Sequence, residues 1–158
     1  MALKSATTGS LSAPSGTSGS GVNDLEDGNK PTKDFKLTQY SELGKNETIY
    51  YTFNSSLNDD ALITKVVIQY IVCYGLPGPK VNIGLYLNGN SIASSNGISA
   101  DYLTTSYDKR KTWTVDLIGK NVKASDIKNG NLKFGITCTT RGCNVFGADL
   151  KPNYINPN

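Results

Sequence analysis

The chain has 158 residues, with Lys and Arg together 16 times, Asp and Glu 13 times, no histidine, and a formal charge of +3 at pH 7. Charge this modest, with no long run of one sign, argues against a nucleic-acid-binding surface, and the lack of imidazole removes a Ser-His-Asp relay or a histidine base. No apolar stretch approaches the roughly 20 residues that a membrane-crossing helix needs, so no membrane partner is expected.

Residues 1–34 form the first unit in chain order, an extended low-complexity arm of Ser, Gly, Thr, Ala and Pro. Its large apolar side chains are Leu3, Leu11, Val22 and Leu25. Burying so few groups does not offset the entropy of ordering the backbone, so the arm alone is expected to stay solvated. Its first part is nearly uncharged and reads as a tether or docking strip. The second adds Asp24, Glu26, Asp27 and Asp34, ends in the breakers Gly28 and Pro31, and reads as a hinge. An arm that orders along a neighbour would use Leu3, Leu11, Val22 and Leu25 as anchors. The competing reading is a plain linker, natural or engineered.

From Phe35 to Asn158 the pattern is that of strands. Thr48–Asn54 is aromatic and β-branched. Leu62–Tyr74 carries apolar groups on both faces, as a central strand covered on both sides does. Val81–Asn88 alternates, with Val81, Ile83, Leu85 and Leu87 inward and Asn82, Gly84 and Tyr86 outward. Asn88-Gly89 then predicts a tight hairpin returning over Ser91–Ala93, followed by a polar loop through Lys111. Thr112–Ile118 alternates through Trp113, Val115 and Leu117, and Ala124–Ile127 reads as one helical turn capped by Ser125. Leu132, Phe134, Ile136 and Cys138 form another inward row. Cys143–Leu150 is the last predicted strand, and an extended tail follows. Roughly seven or eight short strands about ten residues apart predict an all-β fold, an antiparallel β-sandwich over residues 35–158.

Candidate chemistry is sparse. Asp59 with Asp60, and Asp101 with Asp108, are the carboxylate pairs, but they lie near turns, where Asp serves the backbone. No catalytic residue, cofactor or metal site is predicted: three cysteines without histidine match no zinc pattern, and no Ca²⁺-loop spacing exists. Cys73 reads as a buried small hydrophobe. Cys138 and Cys143 flank a short turn and could face each other as a disulfide in an oxidising compartment, or stay as thiols. Tyr86, Tyr102 and Tyr107 are the tyrosines placed to face a glycan, Tyr86 on an outward strand position and the others in the long loop.

The run Trp113-Thr114-Val115-Asp116-Leu117, then Ser125-Asp126-Ile127-Lys128-Asn129, then Leu132-Lys133-Phe134-Gly135-Ile136 resembles a pattern of phage virion and bacterial surface β-sandwiches. The resemblance implies a jelly-roll-like topology and a non-enzymatic role. Together with the arm it gives the sequence's leading expectation: a virion structural protein such as a capsid decoration, head fibre, neck or tail component. Other virion proteins would hold it through its arm, as a homo-oligomer or on a multi-copy lattice, and it would be made in the host cytoplasm without a signal peptide. The alternative is a carbohydrate-binding or adhesin-type sandwich of a secreted or surface protein.

Overall fold

The computed structural model describes residues 2–3, 7–12, 41–55, 57–74, 78–102, 111–140 and 142–155. Their elements in order are β1 (Ala2–Leu3), β2 (Thr7–Ser12), β3 (Ser41–Leu43), β4 (Thr48–Asn54), β5 (Leu62–Tyr74) and β6 (Lys80–Leu87). Then come β7 (Asn90–Ser99), β8 (Asp101–Tyr102), β9 (Lys111–Asp116), β10 (Val122–Lys123), α1 (Ala124–Lys128), β11 (Leu132–Cys138) and β12 (Cys143–Ile155).

These strands make the two layers of a β-sandwich. In one sheet β12 and β5 form a long antiparallel pair. The free side of β12 is lined by β1 and β3, and that of β5 by β8, β9 and β10. The other sheet runs β2-β4-β11-β6-β7. Every pairing among the described residues is antiparallel except the short β5–β8 contact.

The period-2 alternation of the strands builds the core. Ile49, Tyr51 and Phe53 of β4, Leu132, Phe134 and Ile136 of β11 and Val81, Ile83 and Leu85 of β6 point inward from one sheet. Val66, Ile68, Tyr70 and Val72 of β5 meet them from the other. Phe134 is the hub, its ring centroid 5.5 Å from that of Tyr70, 6.1 Å from that of Trp113 and 6.5 Å from that of Tyr51. Tyr70 and Trp113 belong to the facing sheet, so one ring on β11 ties both layers together.

The reading of β5 as a strand covered on both faces holds. Alternation turns Ile71 and Cys73 away from the core, yet both are buried. Asp149 and Lys151 of β12 are buried as well, and each has a polar or electrostatic partner. Asn88 and Gly89 form the predicted hairpin turn, with φ of 52° and 83°.

Several local readings are corrected. β7 runs on to Ser99 rather than stopping near Ala93, because Ile92, Ala93 and Ile98 pack on the core. β12 continues through the predicted tail to Ile155, paired along β5. Helix α1 is capped by the Asp126 carboxylate, which accepts the Lys123 N–H at 2.9 Å, and Ser125 lies inside the helix. Cys138 and Cys143 do not close a hairpin within one sheet, because β11 and β12 belong to different layers.

Two stretches of the predicted arm are strands of the same chain's sheets. Leu3 pairs with Asn153 across β1 and β12, and Leu11 with Tyr51 across β2 and β4. Val22 and Leu25 lie outside the described residues.

Because Phe134 is fully buried and touches both layers, Phe134→Ala should cost about 3–5 kcal/mol. Urea unfolding should show a much lower midpoint. Leu87→Ala, at the partly buried margin of the same sheet, should cost clearly less.

Candidate functional site

The outer face of the β4-β11-β6 sheet is set by the same alternation that fills the core. Tyr50 of β4 lies opposite Gly135 of β11, Gly135 lies opposite Gly84 of β6, and Lys133 lies opposite Tyr86. Two glycines side by side leave bare backbone at the middle of this face. Tyr86 folds back across it: a Cβ placed on Gly84 would come within 2.7 Å of the Tyr86 hydroxyl and 2.9 Å of its ring. One placed on Gly135 would lie 3.1 Å from both the Tyr86 and the Tyr50 rings. No larger side chain fits there without moving an aromatic ring.

The two rings meet edge to face, with centroids 5.8 Å apart and planes at 73°. Tyr50, Tyr86, Gly89 and Lys133 line an open depression of about 200 Å³. Lys133 stands exposed at its rim. Further along, Thr48 and Thr137 share a hydrogen bond between their hydroxyls at 2.6 Å, and Asn82 Oδ1 accepts the Gly97 N–H at 2.9 Å. This face therefore offers ring surface for an apolar patch and a cation for an oxygen-rich one. Among the described residues it holds no pair of groups placed for acid–base work.

A second depression, of about 310 Å³, opens on the outer face of the other sheet. Asp116, Lys65 and Asn153 lie in one cross-strand row there, beside Thr114 and the exposed Ile118. The Asp116 carboxylate accepts the Ile118 N–H at 2.9 Å. Among the described residues this groove supplies hydrogen-bonding groups but no aromatic ring to stack on.

The predicted site residues scatter. Tyr86 faces outward as expected. Tyr102 belongs to β8 in the opposite sheet, and Tyr107 lies outside the described residues, so the structure does not gather the three. Asp59 pairs with Lys128 at 2.7 Å and Asp101 with Lys111 at 3.3 Å, which makes them surface ion pairs. Among the described residues no group of His, Cys, Asp and Glu could hold a metal ion. Cys138 and Cys143 are thiols in mutual contact. Tyr50 and Gly135 were missed. The signal was present in the alternation: with Ile49, Tyr51 and Phe53 inward, Tyr50 must face out, and Gly84 and Gly135 fall outward on their own strands.

No protein-family model matches the chain, and no curated protein matches it either. Among solved structures it is similar to the CBM36-1 domain of a multidomain xylanase from the hindgut metagenome of Trinervitermes trinervoides. That match has 11% identity over 94% of this chain and 98% of the other, with a TM-score of 0.41. It is also similar to CBM35 from Paenibacillus barcinonensis, at 15% identity over 94% and 100% of the two chains and a TM-score of 0.41. A third match is the C-terminal CBM6 of LamC, a marine laminarinase from Zobellia galactanivorans, at 15% identity over 77% and 90%, with a TM-score of 0.41. Overlap this loose carries no argument about what this chain binds.

The expectation of a virion structural protein is corrected. The similar solved structures named above are carbohydrate-binding modules, and none is a virion protein. The arm also differs from the expectation of a wholly solvated segment: β1 and β2 each pair along one side with this chain's own sheets.

The tightness around Gly84 gives a direct check. Gly84→Ala should expel the Tyr86 ring from the floor, changing the aromatic NMR shifts of Tyr86 and Tyr50. Those shifts should stay near wild type in Lys120→Ala, at an exposed position outside this face.

Proposed function

We propose that this chain is a non-catalytic glycan-binding β-sandwich module whose binding surface is the Tyr50–Tyr86 floor. The observation that carries the proposal is the Tyr86 ring laid over Gly84 and Gly135, with the edge of Tyr50 beside it and Lys133 at the rim. A sugar ring has an apolar face of C–H groups and a girdle of hydroxyls. It needs a flat apolar support together with polar groups around the edge. The glycines keep the support low and unobstructed, while Lys133 can donate to ring hydroxyls or carboxylates.

The magnitudes suit a weak, reversible binder. Covering on the order of 50–100 Å² of apolar surface contributes about 1–2.5 kcal/mol. Higher avidity would then require two or more such sites acting together on one polysaccharide rather than one deep pocket.

Binding should be measured by native affinity electrophoresis against a panel of soluble polysaccharides, followed by calorimetry with oligosaccharides of the best one. Tyr86→Ala should weaken binding about tenfold or more while retaining a cooperative unfolding transition. If tyrosine serves only to shield the backbone at the two glycines, Tyr86→Ala will lower stability and leave any glycan binding unchanged. That result, or no retardation on any polysaccharide, contradicts the proposal.

A further inference from the structure

Cys138 and Cys143 occupy a particular place in the sandwich. Cys138 is the last residue of β11 in one sheet and Cys143 the first of β12 in the other, so the turn between them is where the chain crosses from layer to layer. Both side chains are buried in the shared core, at 0% and 1% exposure. Their thiols lie within hydrogen-bond reach of each other.

Both backbones are held there. The Cys138 N–H donates to the Glu47 carbonyl at 3.0 Å, its carbonyl accepts from the Asn46 N–H, and Cys143 is paired with Leu43. Thr139 anchors the start of the turn, its N–H and hydroxyl both donating to the Lys80 carbonyl at 2.9 and 3.0 Å. Two thiols brought together by elements fixed on both sides need little main-chain movement to be joined.

We infer that Cys138 and Cys143 are a built oxidation site, joined in the working protein as a disulfide that staples the two sheets at their crossover. The step balances with a small-molecule or enzymatic disulfide as oxidant. One cysteine thiolate attacks a sulfur of the oxidant, forms a mixed disulfide and releases one thiol. The second cysteine sulfur then displaces the other half, leaving the intramolecular S–S bond. Two electrons and two protons end on the oxidant as two thiols.

Burial decides when this happens. The contact with Cys138, followed by burial, pushes the Cys143 thiol well above the ordinary thiol range, so the closed fold supplies little thiolate. Oxidation therefore belongs to folding, or to opening of the turn, and the finished bond is shielded from reductants. Cys73 is not a competing partner, because it points away from the core. Burial, with Asp101 adding and Lys111 opposing, pushes its thiol up to about 11. A crosslink of this kind places the protein in an oxidising compartment, independently of which ligand the tyrosine floor takes.

The test refolds the full chain from denaturant in oxidised and reduced glutathione at several ratios. Thiols are quenched by alkylation and the peptides mapped by mass spectrometry. The expected product has lost two hydrogens, yields a peptide linking Cys138 to Cys143, and leaves Cys73 alkylatable after unfolding. Its Tm should exceed that of the same protein in reductant by about 4–9 °C, as closing so short a loop implies. The double variant Cys138→Ala/Cys143→Ala should show no such dependence on reductant. Three alkylated cysteines at every ratio, a crosslink through Cys73, or an oxidised form with unchanged or lower Tm would each overturn the inference. The decisive comparison is of the wild-type chain with itself, so it stands even if the variant folds poorly.

Discussion

Phe134 and Gly135 are consecutive residues of β11, the middle strand of one layer, and the rest of the molecule is arranged around what they do on opposite faces. Phe134 enters the core and touches Tyr70 and Trp113 of the facing sheet. Gly135 turns outward and leaves a gap that the rings of Tyr50 and Tyr86 fill. A slip of one residue in the pairing of β11 would exchange the two, placing a phenylalanine in water and a glycine in the core. Register is thus fixed by the apolar face, and the outer face inherits its geometry.

This division explains why the candidate site can be an open, half-buried depression on the outer face of a packed domain. Ordering a binding surface on loops costs conformational entropy each time a ligand is met. Here the two tyrosines stand on β4 and β6, the strands on either side of β11, in a sheet whose other face is tightly packed, and their positions are limited by contact with two glycine backbones. The groove on the opposite sheet has, among the described residues, the Lys65–Asp116–Asn153 row and no ring. The two sides of the sandwich therefore differ in chemistry as well as in strand order. On the Tyr50–Tyr86 side, the proposed sugar stacking would use ring surface laid over two buried glycines, with a cation at the rim.

Much of the architecture was legible in the sequence because it follows from alternation. The bounds of Thr48–Asn54 and Leu62–Tyr74 were read directly, as were the inward rows of β6 and β11 and the Asn88-Gly89 turn. What was not legible needed long-range pairing. Nothing local tells that Thr7–Ser12, small residues apart from Leu11, joins β4, or that Cys138 and Cys143 end in different layers. The α1 cap was assigned to Ser125 by residue type, whereas the Asp126 carboxylate reaches back to the Lys123 N–H. The site was half legible. Tyr86 follows from its own strand, but its partner Tyr50 sits in a segment aromatic on both faces, and only the cross-strand register brings the two together over Gly84 and Gly135. The arm misled for a physical reason: composition gives the entropy cost of ordering a segment but not the sheet edge that offers it hydrogen bonds.

The central claim is that ligands meet this protein on the outer face of β4, β11 and β6. The most direct measurement is an NMR titration of the isotope-labelled chain with oligosaccharides cut from the polysaccharide it retains best. The account predicts saturable shifts concentrated at Tyr50, Gly84, Tyr86, Lys133 and Gly135. Shifts confined to the Lys65–Asp116–Asn153 groove, or to the strand ends, would place binding elsewhere and contradict it.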